Sequence, residues 1–487
     1  MRRNGSVFID TAVFSVLIVA IWQTGFSPQL ARAQAAEPHL LNASKSSAPP
    51  APKLADPVTP AAPPGSALYT AKRGDSIASV AHKYVPQTAS LTTAELSEAI
   101  RKANGNLQGT FLKAGQPVII PGMLDAPIVE KSIPVTKDFE VRAIYLTGLM
   151  AGSDHGMRII RRWREVGGNA VVFDIKDSDG SVNVPFENAL LGSHHTPIRD
   201  LPKFVRFLHS QNMHAIARIA MFRDERLVVA HPELAVQSKK FGKPWRENGK
   251  LVWTDPSQRK VQEYDIALAL NAADAGADEI QFDYVRFPAE GDQKDASFVF
   301  QKEHPDWQRA DVIADFLKHA YAEIHPKGVL LSLDVFGIMA WQRPVDLSHT
   351  GQDIVRMAKH CDVLSPMIYP SHFFGMDGIA KPGDAPEHFI GESMDRFEKI
   401  TAGSGVVIRP WLQAFAWRTK TYSPQYIETQ VLTAKNKGGV GFLFWNANNN
   451  YEKPYVAMPE MRGAKDKYFR GDEMPGVTQA SLHNGTH

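Results

Sequence analysis

The chain has 487 residues, which at roughly 100–200 residues per domain means two to four domains. Its 44% hydrophobic and 22% charged composition excludes wholesale disorder, and 54 Lys+Arg against 52 Asp+Glu leave a net charge of +2, which removes the electrostatic argument for a nucleic-acid partner. The single cysteine, Cys361, excludes an intramolecular disulfide framework and any multi-cysteine metal site.

Arg2 and Arg3 precede an apolar run, Thr11–Trp22, and then Ala31-Arg-Ala-Gln-Ala35, with small residues at the −3 and −1 positions of a cut after Ala35. This is the layout of a secretory signal peptide over residues 1–35. The run is short for a membrane span of about 20 residues. An uncleaved N-terminal anchor, the only source of membrane attachment, is the alternative, with Asp10 at its edge. Either reading puts the bulk of the chain outside the cytoplasm, in the periplasm, the cell envelope or the medium. Residues 36–66 are rich in Pro and Ala and hold few large apolar side chains, so they form an extended spacer.

A compact unit occupies residues 67–122. A short strand leads to a Gly74-Asp75 turn, and Asp75 or Ser76 caps a helix with Ile77, Val80, Ala81 and Tyr84 at helical spacing. A second helix, Thr93 to Ala103, carries Leu96 and Ile100 and ends at Asn104-Gly105. The strand Gln116-Pro-Val-Ile-Ile-Pro121 closes the unit. Tyr69-Thr70, Arg73-Gly-Asp-Ser76, Asn104 and Leu112-Lys-Ala-Gly-Gln-Pro-Val-Ile-Ile-Pro121 resemble a LysM domain. That resemblance implies binding of peptidoglycan, chitin or another N-acetylglucosamine polymer. It departs at an enlarged centre, Pro86 to Thr93, beside which the glycan groove of the family lies. A LysM-shaped spacer without binding is the bland alternative. Spacer and module are expected to be units separate from the larger C-terminal domain.

From residue 138 to 458 β-rich runs alternate with helical patterns. The strand candidates are Val141–Thr147, Ala170–Ile175, His214–Ala220, Glu279–Phe287, Val329–Phe336, Val363–Tyr369, Val406–Phe415 and Val440–Trp445. Asp255-Pro256 reads as the N-cap and first-turn proline of a helix that stops at Gly276, and residues 312, 313, 316, 317, 320 and 324 make an apolar stripe. Eight strand–helix alternations predict an α/β fold, a (β/α)8 barrel. An open doubly wound sheet is the runner-up, weakened because no Gly-x-Gly-x-x-Gly follows the first strand. Residues 464–487 form a polar tail.

Barrel chemistry gathers where strands end. Those ends offer Asp174 and Lys176, Gln281 and Asp283 with Arg286 beyond, Asp334, Tyr369, Gln413 and Trp445. Glycoside hydrolysis needs two carboxyl groups, one protonated and one ionised, while aromatic rings and hydrogen-bonding groups hold sugar rings. Asn169-Ala-Val-Val-Phe-Asp-Ile-Lys-Asp-Ser-Asp-Gly180, Gly276-Ala-Asp-Glu-Ile-Gln-Phe-Asp-Tyr-Val-Arg-Phe-Pro288 and Asp362-Val-Leu-Ser-Pro-Met-Ile-Tyr-Pro-Ser371 resemble a family of bacterial glycoside hydrolase domains of the (β/α)8 type. The resemblance implies O-glycosyl hydrolysis without a cofactor.

Asp283 is the leading catalytic candidate, against a structural pairing with Arg286. Gln281 shares its strand face, within reach of a sugar hydroxyl or of Asp283. Asp334 is the second carboxyl, against a turn cap. Asp174 is a third, with Lys176 on its face to keep it ionised. Asp177 and Asp179 read as turn residues. Arg286, Lys176, Gln281 and Gln413 are candidate substrate contacts, and Trp445 a sugar platform or a buried barrel tryptophan. Tyr369 stands where chitinase-type barrels carry a tyrosine that assists an N-acetyl group, but Pro370 follows where that class has an acid. His194, His195 and His372 show no metal-ligand spacing, so no metal is expected. The expected function is hydrolysis of a cell-surface polysaccharide containing amino sugars, with the module targeting peptidoglycan. The alternative is a non-catalytic glycan-binding envelope protein, and a peptidase or amidase lacks its motif.

Overall fold

The structure, a computed structural model, describes residues 62–463. The export signal, the spacer up to residue 61 and the polar tail lie outside the described residues. The module pairs Ser66–Thr70 antiparallel with Pro117–Pro121 and packs two helices, Ile77–Tyr84 and Thr93–Ala103, on that ribbon. Ser76 is the N-cap of the first helix, forming a reciprocal capping box with Ser79. Asp75 instead accepts from Tyr69 Oη and the Lys72 amide, each at 2.7 Å. Asn104 ends the second helix, and its side chain mimics a strand neighbour, bonding both the amide and the carbonyl of Ile119 at 2.8 Å. Ile77, Val80, Leu96, Ile100, Val118 and Ile120 form the module's own small core.

The larger part is a closed parallel barrel. Its strands are Val141–Leu146, Ala170–Lys176, His214–Ala220, Glu279–Asp283, Leu330–Phe336, Val363–Met367, a seventh in two pieces, and Gly441–Trp445. Each pairs with the next, and the eighth pairs with the first through Gly441 and Val141. The open-sheet alternative is therefore excluded. The seventh strand, expected to be continuous from Val406 to Phe415, splits into Val407–Ile408 and Trp411–Gln413 around Pro410, which has no amide to give to the ladder. The fourth ends at Asp283, four residues short of Phe287, because Tyr284 turns the chain with φ +55°.

Helices cover the barrel as the periodicity predicts. In Arg309–Ile324 the buried positions are Val312, Ile313, Phe316, Leu317, Ala320 and Ile324. One boundary differs: Asp255 does not cap the helix, which starts at Arg259. It accepts from the Ser257 and Val299 amides at 2.9 and 2.7 Å, tying two mouth insertions together. A short antiparallel pair, Gln237–Ser238 with Ala296–Ser297, clasps the same two insertions.

Alternation sorts the barrel interior into layers. At the base Glu279 bonds His214 at 3.0 Å and Arg409 at 2.8 Å, all three fully buried. Ala143, Val172 and Ile216 lie above them, beside Gln281. Phe139 plugs the bottom against the His214 ring. The segment leading to it is pinned from outside: the Ile133 amide donates to Asp278 at 2.6 Å, and Glu130 pairs with Arg206 at 2.7 Å and His209 at 2.9 Å.

The module is not a separate unit, contrary to the expectation from its sequence. Its enlarged centre docks on the barrel. Lys203, on the helix Leu201–Ser210 and 4% exposed, donates to the carbonyls of Val85 and Ser90 at 3.0 and 3.1 Å. The Thr92 hydroxyl donates to Asp154 at the start of the helix Asp154–Glu165. The seam between them is a cleft lined by Val85, Pro86, Leu91, Pro197, Arg199 and Phe204.

Candidate active site

Three carboxyl groups from three strands meet at the C-terminal mouth of the barrel, on one guanidinium. Arg218 of the third strand pairs with Asp174 of the second through Nη1 and with Asp283 of the fourth through Nη2 at 2.5 Å. Its Nε lies 3.6 Å from Asp334 of the fifth. Tyr145 Oη donates to Asp174 at 2.5 Å, and Trp411 Nε1 donates to Asp334 at 2.7 Å. The register of the strands produces this cluster: Asp174 pairs across to Arg218, and both point inward with Val172 and Ile216 below.

Asp283 is the most exposed of the three at 8%, against 0% for Asp174 and 1% for Asp334. Burial, reinforced by the negative charge of Asp283, lifts Asp334 well above the usual carboxylate range despite Arg218. Burial likewise raises Asp174 to about 7, against the pull of Arg218. Burial therefore favours the acid form of Asp334 beside the Arg218 cation. The contacts of 2.5 and 3.6 Å, added to the width of one guanidinium, keep Asp283 and Asp334 within the upper limit of about 9.5 Å for a glycosidase pair.

Several expected contacts lie elsewhere. Lys176 does not share the face of Asp174. The strand register shifts between the two, and this bulge turns Lys176 outward, where it is fully buried between Asp224 at 2.9 Å and Asp265 at 2.8 Å. The cation that faces Asp174 is Arg218. Gln281 points into the barrel but one layer below the mouth, fully buried, with Nε2 3.5 Å from Ser365 Oγ, so it reaches no substrate. Gln413 is buried too. It braces the mouth, accepting from the Ser371 amide and donating to the Phe415 carbonyl at 2.9 Å. Arg286 does not pair with Asp283; its guanidinium lies over Trp253 and Phe336.

Tyr369 and Trp445 do reach the mouth. Tyr369 is 8% exposed and Trp445 half-buried, and their rings lie 5.8 Å apart with Phe415 against both. With His372 and Trp417 they form an aromatic wall. Burial and the Arg418 charge push His372 down to about 4, so it is neutral in that wall. Asp177 and Asp179 sit in the expected turn: Asp179 accepts from Ser181, and Gly180, with φ +89°, packs so closely on Asp224 that a Cβ would collide with its carboxylate. Among the described residues no group of three His, Cys, Asp or Glu is arranged to hold a metal ion.

Sequence reasoning missed Arg218 and Tyr145 as site residues, and gave Trp411, which it placed at the rim, no role. The signal was present in parity: Arg218 is the lone charge in Ala215-Ile-Ala-Arg-Ile-Ala220, two residues beyond inward-facing Ile216.

Residues 143–451 match the family model described as "Putative glycosyl hydrolase domain", and residues 69–121 match the LysM domain. No curated protein matches the chain. Among solved structures, a hypothetical protein from Ruminiclostridium thermocellum is 35% identical over 39% of this chain and 97% of its own, with a TM-score of 0.35. The PgaB (BpsB) glycoside hydrolase domain of Bordetella bronchiseptica is 14% identical over 68% of this chain and 99% of its own, at 0.49. The spore cortex-lytic enzyme SleL of Bacillus megaterium is 11% identical over 84% and 87%, at 0.41.

Proposed function

The chain belongs to the glycosyl hydrolase domain family that its residues 143–451 match, and from that premise we propose a specific reaction. The barrel hydrolyses an O-glycosidic bond in a cell-surface polysaccharide that contains amino sugars. It acts outside the cytoplasm, and the LysM module holds it to peptidoglycan or a related N-acetylglucosamine polymer. The observation that carries the chemistry is the convergence of Asp174, Asp283 and Asp334 on Arg218 at the mouth.

In this reading Asp283, the most exposed carboxyl, supplies the negative charge at the reacting carbon, directly or through water. Asp334, whose acid form burial favours, supplies the proton to the leaving oxygen. Arg218 is a positioning residue that orients both. The wall of Tyr369, Phe415 and Trp445 takes the apolar face of a sugar ring. Export is supported by the basic, apolar and small-residue succession at residues 1–35.

The test is Asp283→Asn, assayed for new reducing ends on a panel of bacterial polysaccharides. An amide keeps the shape but neither attacks nor activates water, so turnover falls by roughly two to four orders of magnitude. Glycan binding persists, and the melting temperature moves little, because Arg218 keeps Asp174. A stable, nearly fully active variant overturns the assignment. Binding without any hydrolysis by the parent chain favours a glycan-binding barrel instead.

A further inference from the structure

The insertions after the third and fourth strands bring two more guanidinium groups to the mouth, beside Asp283. Arg286 lies over the rings of Trp253 at 4.7 Å and Phe336 at 4.4 Å, and Arg223 and Arg286 both lie over Tyr284, at 5.7 and 5.4 Å. Both are partly exposed. Each has five N–H donors. Arg286 donates to the Phe287 carbonyl at 3.1 Å, and Arg223 to the Ser178 carbonyl at 2.6 Å. Unlike Arg218, neither is ion-paired with any carboxylate among the described residues. Glu247, whose charge also reaches Arg286, is taken by the Trp253 indole at 2.7 Å. The two cations repel each other, burial opposes the charge of Arg286, and neither makes a direct ion pair, a cost that an anion held by both relieves.

The backbone points the same way. Tyr284 adopts φ +55°, an outlier for a bulky side chain, and the Arg286 amide then folds back on the Tyr284 carbonyl at 2.8 Å. The Tyr284 amide donates to Asp283 at 2.6 Å, so one strained turn holds both the candidate catalytic carboxyl and the stacked arginine. Aromatic faces keep the guanidinium planes flat while leaving their edges free, and those edges match the paired oxygens of carboxylate and phosphate groups.

We propose that Arg223 and Arg286 form a subsite for an anionic substituent of the substrate glycan, a carboxylate or a phosphate ester, next to the sugar that reacts at Asp283. The subsite rests on the reading of the mouth as a saccharide cleft. It narrows the substrate to an acidic polysaccharide.

The test uses the full chain and three monosaccharides that share one ring and have no bond to cleave: D-glucose, D-glucuronate and D-glucose 6-phosphate. Binding is measured by calorimetric titration at low salt. At least one anionic sugar binds about tenfold or more tighter than glucose, as charge-assisted hydrogen bonds imply. The preference disappears in Arg286→Gln and in Arg223→Gln and is partly kept in Arg286→Lys, which retains charge but not the fork. Melting temperatures accompany each variant, and the lysine variant carries the comparison if a glutamine variant is unfolded. Which anion is preferred separates carboxylate from phosphate. Equal binding of all three sugars, or a preference that survives both glutamine variants, overturns the subsite while leaving the saccharide cleft standing. If none of the three binds, the subsite and the cleft both fall.

Discussion

Arg218 sits in a strand that is otherwise apolar above His214, and its position explains why three inward-facing carboxyl groups coexist at the mouth. Arg218→Met removes their common cation and leaves buried carboxyl groups unpaired in a site with little water. Breaking such buried pairs costs about 3–5 kcal/mol, which a urea titration reads as a lower midpoint. The loss shrinks at acidic pH, where the carboxyls are neutral in both states and need no partner. The same residues mark what was legible at this scale. Parity along the strands identifies Asp174, Asp283 and Asp334 as inward-facing, since burial on both faces of a parallel strand leaves a charge conspicuous. Parity misplaces Lys176, because a one-residue bulge reverses the side a residue faces and leaves no trace in the hydrophobic pattern. Gln281 shows a further limit: alternation reveals the face but not the depth, and the mouth begins only one step later, at Asp283.

Among the elements, the segment that crosses the barrel base illustrates what local patterns omit. Residues 130–133 have no helical or strand period, so their role is invisible in sequence, yet Glu130 and Asp278 hold His209 between them at 2.9 and 3.0 Å. Burial opposes the imidazolium, but the hydrogen bonds to Asp278 and Glu130 outweigh it and raise His209 from 6.5 to about 9. A raised folded-state value stabilises the protein fully below the unfolded value and loses that contribution as pH rises through the folded one. Stability is therefore expected to fall between about pH 6.5 and 9, by up to about 3 kcal/mol. Denaturant midpoints across that range should show the slope in the parent chain, and His209→Gln should remove it. The eight strands were readable because each is a short β-rich run between helices. The interruption of the seventh was also written in the chain, at Pro410, where a missing amide outranks the apolar run around it.

At the scale of the molecule, module and barrel each have a core, and each core is visible as its own periodic pattern. Their joining is not, since it rests on carbonyls of the irregular stretch 85–92 that any sequence could supply. The enlarged centre that sets this module apart from the LysM pattern is the part that meets Lys203 and Asp154. Lys203→Met leaves two carbonyls unsatisfied at the seam, at about 1–3 kcal/mol each. Hydrogen exchange should then accelerate across residues 85–92 while amides of the barrel strands keep their protection. Equal protection in the parent and the variant would show that the seam is held by other contacts.

Under the proposed function, that seam governs how a polymer is presented. A domain on a loose tether lets a captured chain sample many orientations, and its benefit falls with the volume it sweeps. Here the seam contacts of Lys203 and Thr92 restrict that sampling, so under the proposed function a glycan held by the module reaches the barrel mouth in a narrowed set of orientations. In that proposed role the pair acts as a gauge, favouring strands long and straight enough to reach both module and mouth and passing over short or sharply bent ones.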